Sequence, residues 1–182
     1  MGRILFISSS MRNGNCKKIL EEIQQTFWLE HSTEIIFLRD YDITPCTGCH
    51  ACRHTSDNKC VKGDKVDLVI EKIIDADVVV FASPNYFYNI SGLAKNFIDK
   101  TLPYYELKTL TAKKFIFVYT GEDEPSATKK YLDRAIEGFV DCHGLRILGS
   151  FAYQTPELNV FGSEEEKRNN NESICKLIRQ HI

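Results

Sequence analysis

The sequence predicts one α/β domain built on an open, doubly wound sheet of parallel strands. Short apolar runs that suit strands alternate with segments whose apolar residues recur at helical spacing. One run, Val78-Val79-Val80-Phe81, is continuous and suits a strand buried on both faces, as parallel sheets require. A length of 182 residues with 43% hydrophobic composition favours one core, so residues 1–182 are expected to form a single domain.

The alternation contains five predicted strands, at residues 3–8, 34–38, 77–82, 114–119 and 145–152. Asp64 is a candidate cap for the second helix, and Gly144 is expected to end the fourth. Ligands of such sheets bind outside the carboxyl ends of the strands, where the strand order reverses. The loops after strands one, three and four are therefore candidate binding loops. The helices are predicted around Ile19, Leu20, Ile23 and Phe27, around Val66, Val69, Ile70, Ile73 and Ile74, over 91–100 and 126–142, and around Ile174, Leu177 and Ile178.

The polar C-terminal segment, from residue 155 to about 173, offers little to a core. It contains Pro156, Gly162 and the charged run that starts at Glu164. We interpret it as a solvated surface loop followed by the start of the last helix. The alternative is an extended arm or flap that covers a ligand site.

Charge and hydropathy limit the classes of partner. A formal net charge of −2 argues against a nucleic-acid surface, which is usually strongly basic. No apolar run approaches the roughly 18 residues of a membrane span. We therefore expect a soluble, cytoplasmic protein whose partners are small molecules or electron carriers. In a reducing compartment, clustered cysteines favour metal or redox chemistry over disulfides.

The loop after the first predicted strand has the composition of a phosphate site. Hydroxyl groups, a glycine and free amide groups stand where a helix begins, and such helix ends attract anions. The loop matches neither common nucleotide motif, so a single phosphate, as in FMN, fits it better. An ordinary polar turn capped by Asn13 or Asn15 remains the alternative. The candidate residues are Ser9, Ser10, Arg12, Asn13, Gly14, Asn15 and Cys16.

The loops after strands three and four are candidates for holding a flat ring. Aromatic side chains can flank a heterocycle while amide and backbone groups bind its polar edge, and a glycine allows close backbone approach. The alternative is that the aromatic residues fill the core or a subunit interface. The candidates are Ser83, Pro84, Asn85, Tyr86 and Phe87 in one loop and Thr120, Gly121 and Glu122 in the other.

The loop at residues 45–61 concentrates four of the seven cysteines, Cys46, Cys49, Cys52 and Cys60. Their spacing, C-x2-C-x2-C-x7-C, allows one turning backbone to direct several thiolates at a common centre. Zinc sites more often use two separated C-x2-C pairs, so a [4Fe–4S] cluster is the leading hypothesis. A disulfide, a zinc site and simple packing remain alternatives, as does a structural turn without iron.

Together these loops resemble those of the flavodoxin-like NAD(P)H-dependent FMN reductases, and within them the iron–sulfur flavoproteins. The resemblance covers residues 3 to about 121, and its most specific part is S-P-N-Y-x4-S-G-x2-K-x-F-I-D, from Ser83 to Asp99. The chain departs from the family pattern in the first loop, where the basic residue shifts to Arg12 and Cys16 replaces the usual Ser or Thr.

The resemblance implies a flavodoxin-like sandwich with a five-stranded parallel sheet in the order 2-1-3-4-5. It implies FMN as cofactor, NAD(P)H as co-substrate and a homodimer or homotetramer. We expect flavin-centred chemistry without a catalytic side chain, passing electrons to a small-molecule acceptor, with a ferredoxin-like carrier as another partner. The alternatives are a cluster-free quinone, nitro or flavin reductase, and a non-enzymatic electron carrier or redox sensor.

Overall fold

The computed structural model describes residues 1–55, 59–63 and 65–182. Its strands are β1 Arg3–Ser8, β2 Ser32–Phe37, β3 Val78–Pro84, β4 Lys114–Gly121 and β5 Arg146–Gln154. They form one parallel sheet in the order β2-β1-β3-β4-β5, which confirms the predicted doubly wound class and strand order. The strand order reverses between β1 and β3, and this is the switch point at which such sheets bind ligands.

Helices cover both faces of the sheet because alternate residues of the central strands point in opposite directions. The helices are α1 Asn15–Gln24, α2 Val66–Asp75, α3 Gly92–Asp99, α4 Leu102–Glu106, α5 Pro125–His143 and α6 Glu164–Arg179. In β3, Val79 and Phe81 pack on the side covered by α2, α3 and α5, whereas Val78 and Val80 pack on the side covered by α1 and α6. A continuous apolar strand therefore fills two cores at once.

The helix ends follow the sequence signals at some positions and differ at others. Gly144 ends α5 in the left-handed conformation, with φ 61°, as predicted. The last helix starts at Glu164, well before its apolar residues, because the Ser163 hydroxyl accepts a hydrogen bond from the Glu166 N–H and caps it. The predicted cap Asp64 lies outside the described residues.

Among the described residues, no helix combines the length and the apolar composition that a bilayer crossing needs.

Candidate functional site

A cavity of about 340 Å³ lies at the carboxyl edge of the sheet, beside the switch point. This volume falls in the usual range for small-molecule sites. Four segments wall it: the loop after β1, the loops after β3 and β4, and the segment that follows β5. The lining residues are Ser10, Arg12, Asn15, Cys16, Pro84, Asn85, Tyr86, Thr120, Gly121, Glu122, Thr155, Pro156, Glu157 and Leu158.

A buried serine network joins the first and third loops behind this cavity. Ser91 caps α3 by accepting from the Ala94 N–H, and its hydroxyl lies 2.8 Å from the Ser9 carbonyl oxygen, to which it donates. The Ser91 N–H in turn donates to Ser83 Oγ at 3.0 Å. Ser9 and Ser83, both predicted as cofactor contacts, are fully buried and serve this network rather than line the cavity.

The first loop is held from outside by Arg39, at the carboxyl end of β2. Its guanidinium donates to the Met11 carbonyl oxygen at 3.2 Å and to Asn13 Oδ1 at 2.6 Å. The predicted contact Asn13 is therefore engaged by a side chain of the protein, whereas Arg12 lines the cavity. Arg39 was missed by the sequence argument because an arginine after an edge strand carries no local signal for this role.

Cys16 lies in the first turn of α1, at the junction of the first and fourth loops. Its thiol is 3.3 Å from Thr120 Oγ1, and burial raises its pKa to about 11. The hydrogen bond to Thr120 and the charge of Arg12 both act in the opposite direction but are outweighed. Cys16 is thus a neutral thiol in the cavity wall.

Asn85 and Gly121 meet closely on the ring side of the cavity. A Cβ atom on Gly121 would lie 2.9 Å from Asn85 Cβ, so a larger residue at 121 would displace the Asn85 side chain. The Asn85 amide nitrogen lies 3.4 Å from both Asp123 Oδ2 and Thr128 Oγ1. Its Oδ1 is buried and, among the described residues, has no hydrogen-bond partner. A buried acceptor of this kind costs free energy unless a ligand or water satisfies it.

Tyr86 lines the cavity, whereas its neighbour Phe87 is fully exposed and does not. Phe87 and Tyr88 both have left-handed backbones, with φ 52° and 55°. The Tyr88 hydroxyl donates to Asp123 Oδ1 at 3.0 Å, and its ring packs on Tyr131 with the centroids 4.7 Å apart. The loop therefore turns some of its aromatic side chains outward, away from the core.

The segment after β5 was not among the predicted site residues, although a covering flap was considered. Its backbone N–H at Thr155 donates to the Gly121 carbonyl oxygen at 2.6 Å. Leu158 lies over Gly14, where an added Cβ would come within 2.8 Å of Leu158 Cδ1. Gly14 is thus covered by this segment.

In the cysteine loop, Cys46 and Cys49 are exposed, and Cys52 and Cys60 are half-buried. All four are free thiols. The pKa of Cys52 is raised mainly by burial and further by electrostatic interaction with the neighbouring Cys60. Residues 56–58 of this loop lie outside the described residues.

Lys100 joins the two ends of the cysteine loop. It is 3% exposed, and its Nζ lies 3.2 Å from Cys60 Sγ and 3.3 Å from Thr44 Oγ1. The end of α3 is therefore connected both to the start of the loop and to its last cysteine. The spacing of the cysteines gave no indication of this lysine.

The two implied cofactors fit the described residues differently. The anion-attracting end of α1, the close approach at Gly121 and the unpartnered Asn85 Oδ1 suit a phosphorylated flat ring such as FMN. For a cluster the donor atoms are present, but no three His, Cys, Asp or Glu side chains in the described ranges are arranged to hold a metal ion. The cysteine loop as described is therefore not an assembled metal site.

The fold and this cavity define a flavodoxin-like α/β protein with a small-molecule site at the carboxyl edge of its sheet. Residues 2–144 match the family model described as NADPH-dependent FMN reductase, and the chain belongs to that family.

Relatives and solved structures are similar to the chain over different extents. An iron–sulfur flavoprotein from Archaeoglobus fulgidus is 38% identical over 100 residues, covering 54% of this chain and 48% of its own. A second one from that organism is 31% identical over 144 residues, covering 76% and 64%. The chain thus spans about half the length of the first relative and slightly less than two thirds of the second. An NADH:FMN oxidoreductase structure (EMOB, apo form) shares the fold, with TM-score 0.69 and 20% identity over 100% of this chain and 91% of its own.

Proposed function

We propose that this chain is an FMN-containing oxidoreductase that uses NAD(P)H to reduce a small-molecule acceptor. The observation that carries the proposal is the cavity at the switch point, walled by the first, third and fourth loops, in a chain of the FMN reductase family. Bound FMN would supply the chemistry, since a flavin accepts a hydride and can release its electrons singly or in pairs.

The residues divide into a phosphate side and a ring side. On the phosphate side, Ser10 and Arg12 lie beside the amino end of α1, where backbone N–H groups and a guanidinium favour an anion. On the ring side, Pro84 and Tyr86 offer apolar surface. Asn85 lines the cavity, and a rotation of its buried amide would bring the unpartnered Oδ1 within reach of the imide N–H of an isoalloxazine.

The protein's contribution is to bind, orient and shield rather than to act as nucleophile. Glu122 and Tyr86 line the cavity, yet flavin-centred hydride transfer requires neither as an acid or base. A flavin ring bound against Gly121 would be covered by the cavity wall on that side and accessible to other molecules only from the opposite side. Specificity for the acceptor would then depend on what can stack on that side.

Anaerobic stopped-flow reduction followed by steady-state assays tests this proposal. Purified protein is loaded with FMN, reduced with NADH or NADPH, and supplied with a quinone, a nitroaromatic or free flavin. Flavin bleaching with turnover of at least one acceptor is expected. Reducible bound FMN that sustains no turnover with any acceptor would favour an electron carrier or redox sensor instead.

We also propose that Cys46, Cys49, Cys52 and Cys60 bind a [4Fe–4S] cluster. Two observations support this: the spacing of the cysteines, and the name iron–sulfur flavoprotein carried by relatives up to 38% identical. Because the described cysteine side chains are not arranged around one point, cluster binding would require the exposed Cys46 and Cys49 to turn inward.

The occupancy of the cluster site is measured by the iron and acid-labile sulfide in anaerobically purified protein. Cys49→Ser should abolish both while FMN stays bound; iron-free wild-type protein would refute the cluster.

A homo-oligomer in which a second copy approaches the flavin site is the third part of the proposal. The exposed aromatic loop at Tyr86, Phe87 and Tyr88 supports it, since a cluster of exposed apolar side chains beside a cavity is typical of an interaction surface.

A further inference from the structure

The segment that follows β5 forms a compact turn, here called the 155–162 turn. Glu157 and Val160 pair as an isolated antiparallel bridge, with Asn159 between them at φ 62°. The Gly162 N–H donates back to the Gln154 carbonyl oxygen at 3.0 Å. The turn therefore has a defined backbone conformation rather than that of an extended arm.

Asn15 fastens this turn to the first loop. Its Nδ2 donates to the Glu157 carbonyl oxygen at 3.1 Å, and its Oδ1 accepts from the Asn159 N–H at 2.6 Å. Asn15 is 8% exposed, whereas Glu157 and Asn159 are exposed, so the two hydrogen bonds are partly buried. Both atoms of the amide are thus engaged by the turn, although Asn15 stands where the sequence predicts a phosphate contact.

The turn also closes space around the amino end of α1. Leu158 covers Gly14, the residue that caps α1, and Leu158 lines the cavity together with Thr155 and Glu157. The turn lies beyond residues 2–144, the part matched by the family model. The site therefore includes residues from outside the matched part of the chain.

We infer that Asn15 is a positioning residue that latches the 155–162 turn over the cavity, and that this latch sets how long a bound flavin stays. The inference rests on the proposed binding of FMN at this site. A flavin held beneath the turn leaves only when the turn lifts, and lifting it breaks both Asn15 hydrogen bonds. The latch acts on the whole ligand and not on its phosphate.

The distinguishing measurement compares the dissociation rates of FMN and riboflavin, which lacks the phosphate. Asn15→Ala should speed the release of both by about tenfold, the effect of losing two ordinary, partly buried hydrogen bonds. The rates are followed by the recovery of flavin fluorescence after dilution. A phosphate ligand would instead affect FMN alone.

A second variant tests the latch from its other side. Asn159→Val places a β-branched residue at a left-handed position, which strains the turn while Asn15 stays in place. The Asn159→Val variant should release both flavins at least threefold faster than Asn159→Gly, because glycine tolerates the left-handed conformation. Combining Asn15→Ala with Asn159→Val should add little, because both act by loosening the attachment of the same turn. Asn169→Ala, on the exposed face of α6, serves as the matched control.

Three results would overturn the inference. Faster release of FMN with unchanged riboflavin release would make Asn15 a phosphate ligand and leave the proposed function intact. Unchanged release of both flavins in Asn15→Ala and in Asn159→Val would show that the turn is no barrier. If the wild-type protein bound neither flavin, the proposed function would fail and this inference with it.

Discussion

The thiol of Cys16 shows how burial decides residue chemistry at this site. A cysteine in the first turn of a helix is usually more acidic, because helix N–H groups stabilise the thiolate. Here burial raises the pKa to about 11 from an ordinary value of 9.0. Two pH units correspond to about a hundredfold less thiolate at a given pH. The sequence could place Cys16 at a helix end but could not reveal that Thr120 and the cavity wall enclose it.

Cys16 should therefore resist alkylation. With iodoacetamide at pH 8, we expect the exposed Cys142 to be labelled at least tenfold faster than Cys16. Time-resolved mass spectrometry of the two peptides measures both rates in one sample. Equal rates would show that the thiol is accessible and its pKa is not raised.

His143 is a second buried group whose environment predicts a pH dependence. The Thr101 hydroxyl donates to the Ile98 carbonyl oxygen at 2.7 Å, so it accepts from His143 Nε2–H at 2.8 Å. Nδ1 is then a buried acceptor, without a hydrogen-bond partner among the described residues. Burial lowers the pKa of this imidazole below its ordinary value of 6.5.

Because the native pKa is lowered, the unfolded chain takes up a proton first as the pH falls. The contribution of neutral His143 to the free energy of unfolding should be fully present above pH 6.5. Below pH 6.5 the free energy of unfolding should decrease, by at most about 1.4 kcal/mol per pH unit. His143→Gln keeps an N–H donor but does not titrate, so it should flatten this slope in urea titrations between pH 5 and 7.5. The exposed His54→Gln is the control. A wild-type slope in His143→Gln would disprove the assignment.

At the scale of elements, two serine caps differ in what surrounds them. Ser91 caps α3, is 2% exposed and also donates to the Ser9 backbone, whereas Ser163 caps α6 at an exposed position. Losing a cap costs about 1 kcal/mol, and leaving a buried partner unsatisfied adds about 1–2 kcal/mol. Ser91 therefore stabilises both α3 and the contact between the first and third loops of the site.

Ser91→Ala should lower the free energy of unfolding by about 2–3 kcal/mol, and Ser163→Ala by about 1 kcal/mol. Urea denaturation monitored by circular dichroism gives both values. The Ser91 variant should also weaken FMN binding, because the first and third loops lose one of the hydrogen bonds that connect them. Equal costs for the two variants would mean that the network behind the cavity adds nothing.

For the whole molecule, the sheet was predictable because the spacing of apolar residues within each segment indicates whether it is a strand or a helix and which face it buries. The start of α6 was not, since its apolar residues fill only the second half. Its first half begins at the local Ser163 cap, which the apolar periodicity does not reveal, and is also held by contacts distant in sequence, such as Lys167 Nζ with Glu22 Oε1 at 2.8 Å. The Asn15 contact to Glu157 likewise spans 142 positions and has no local signature. The cysteine spacing predicts a ligand set, but it does not determine where the side chains point.

The aromatic loop gives a prediction about assembly. Phe87 is fully exposed and held at φ 52°, and Tyr86 and Tyr88 beside it are each 44% exposed. Burying a phenylalanine side chain at an interface contributes about 2 kcal/mol, and a twofold-symmetric contact does so twice. If a second copy covers this loop, Phe87→Ser should raise the dimer Kd by about a thousandfold.

Sedimentation velocity over a range of protein concentrations measures that constant. Trp28→Ser is the matched control, because Trp28 is an exposed aromatic residue beyond the opposite end of α1, beside the start of β2. We expect the Trp28 variant to associate like the wild type, and the Phe87 variant to become monomeric at micromolar concentration. FMN should also dissociate faster from the Phe87 variant, because the second copy no longer covers the exposed side of the bound flavin. A wild-type protein that is monomeric at every concentration, or equal association of both variants, would refute an interface at this loop.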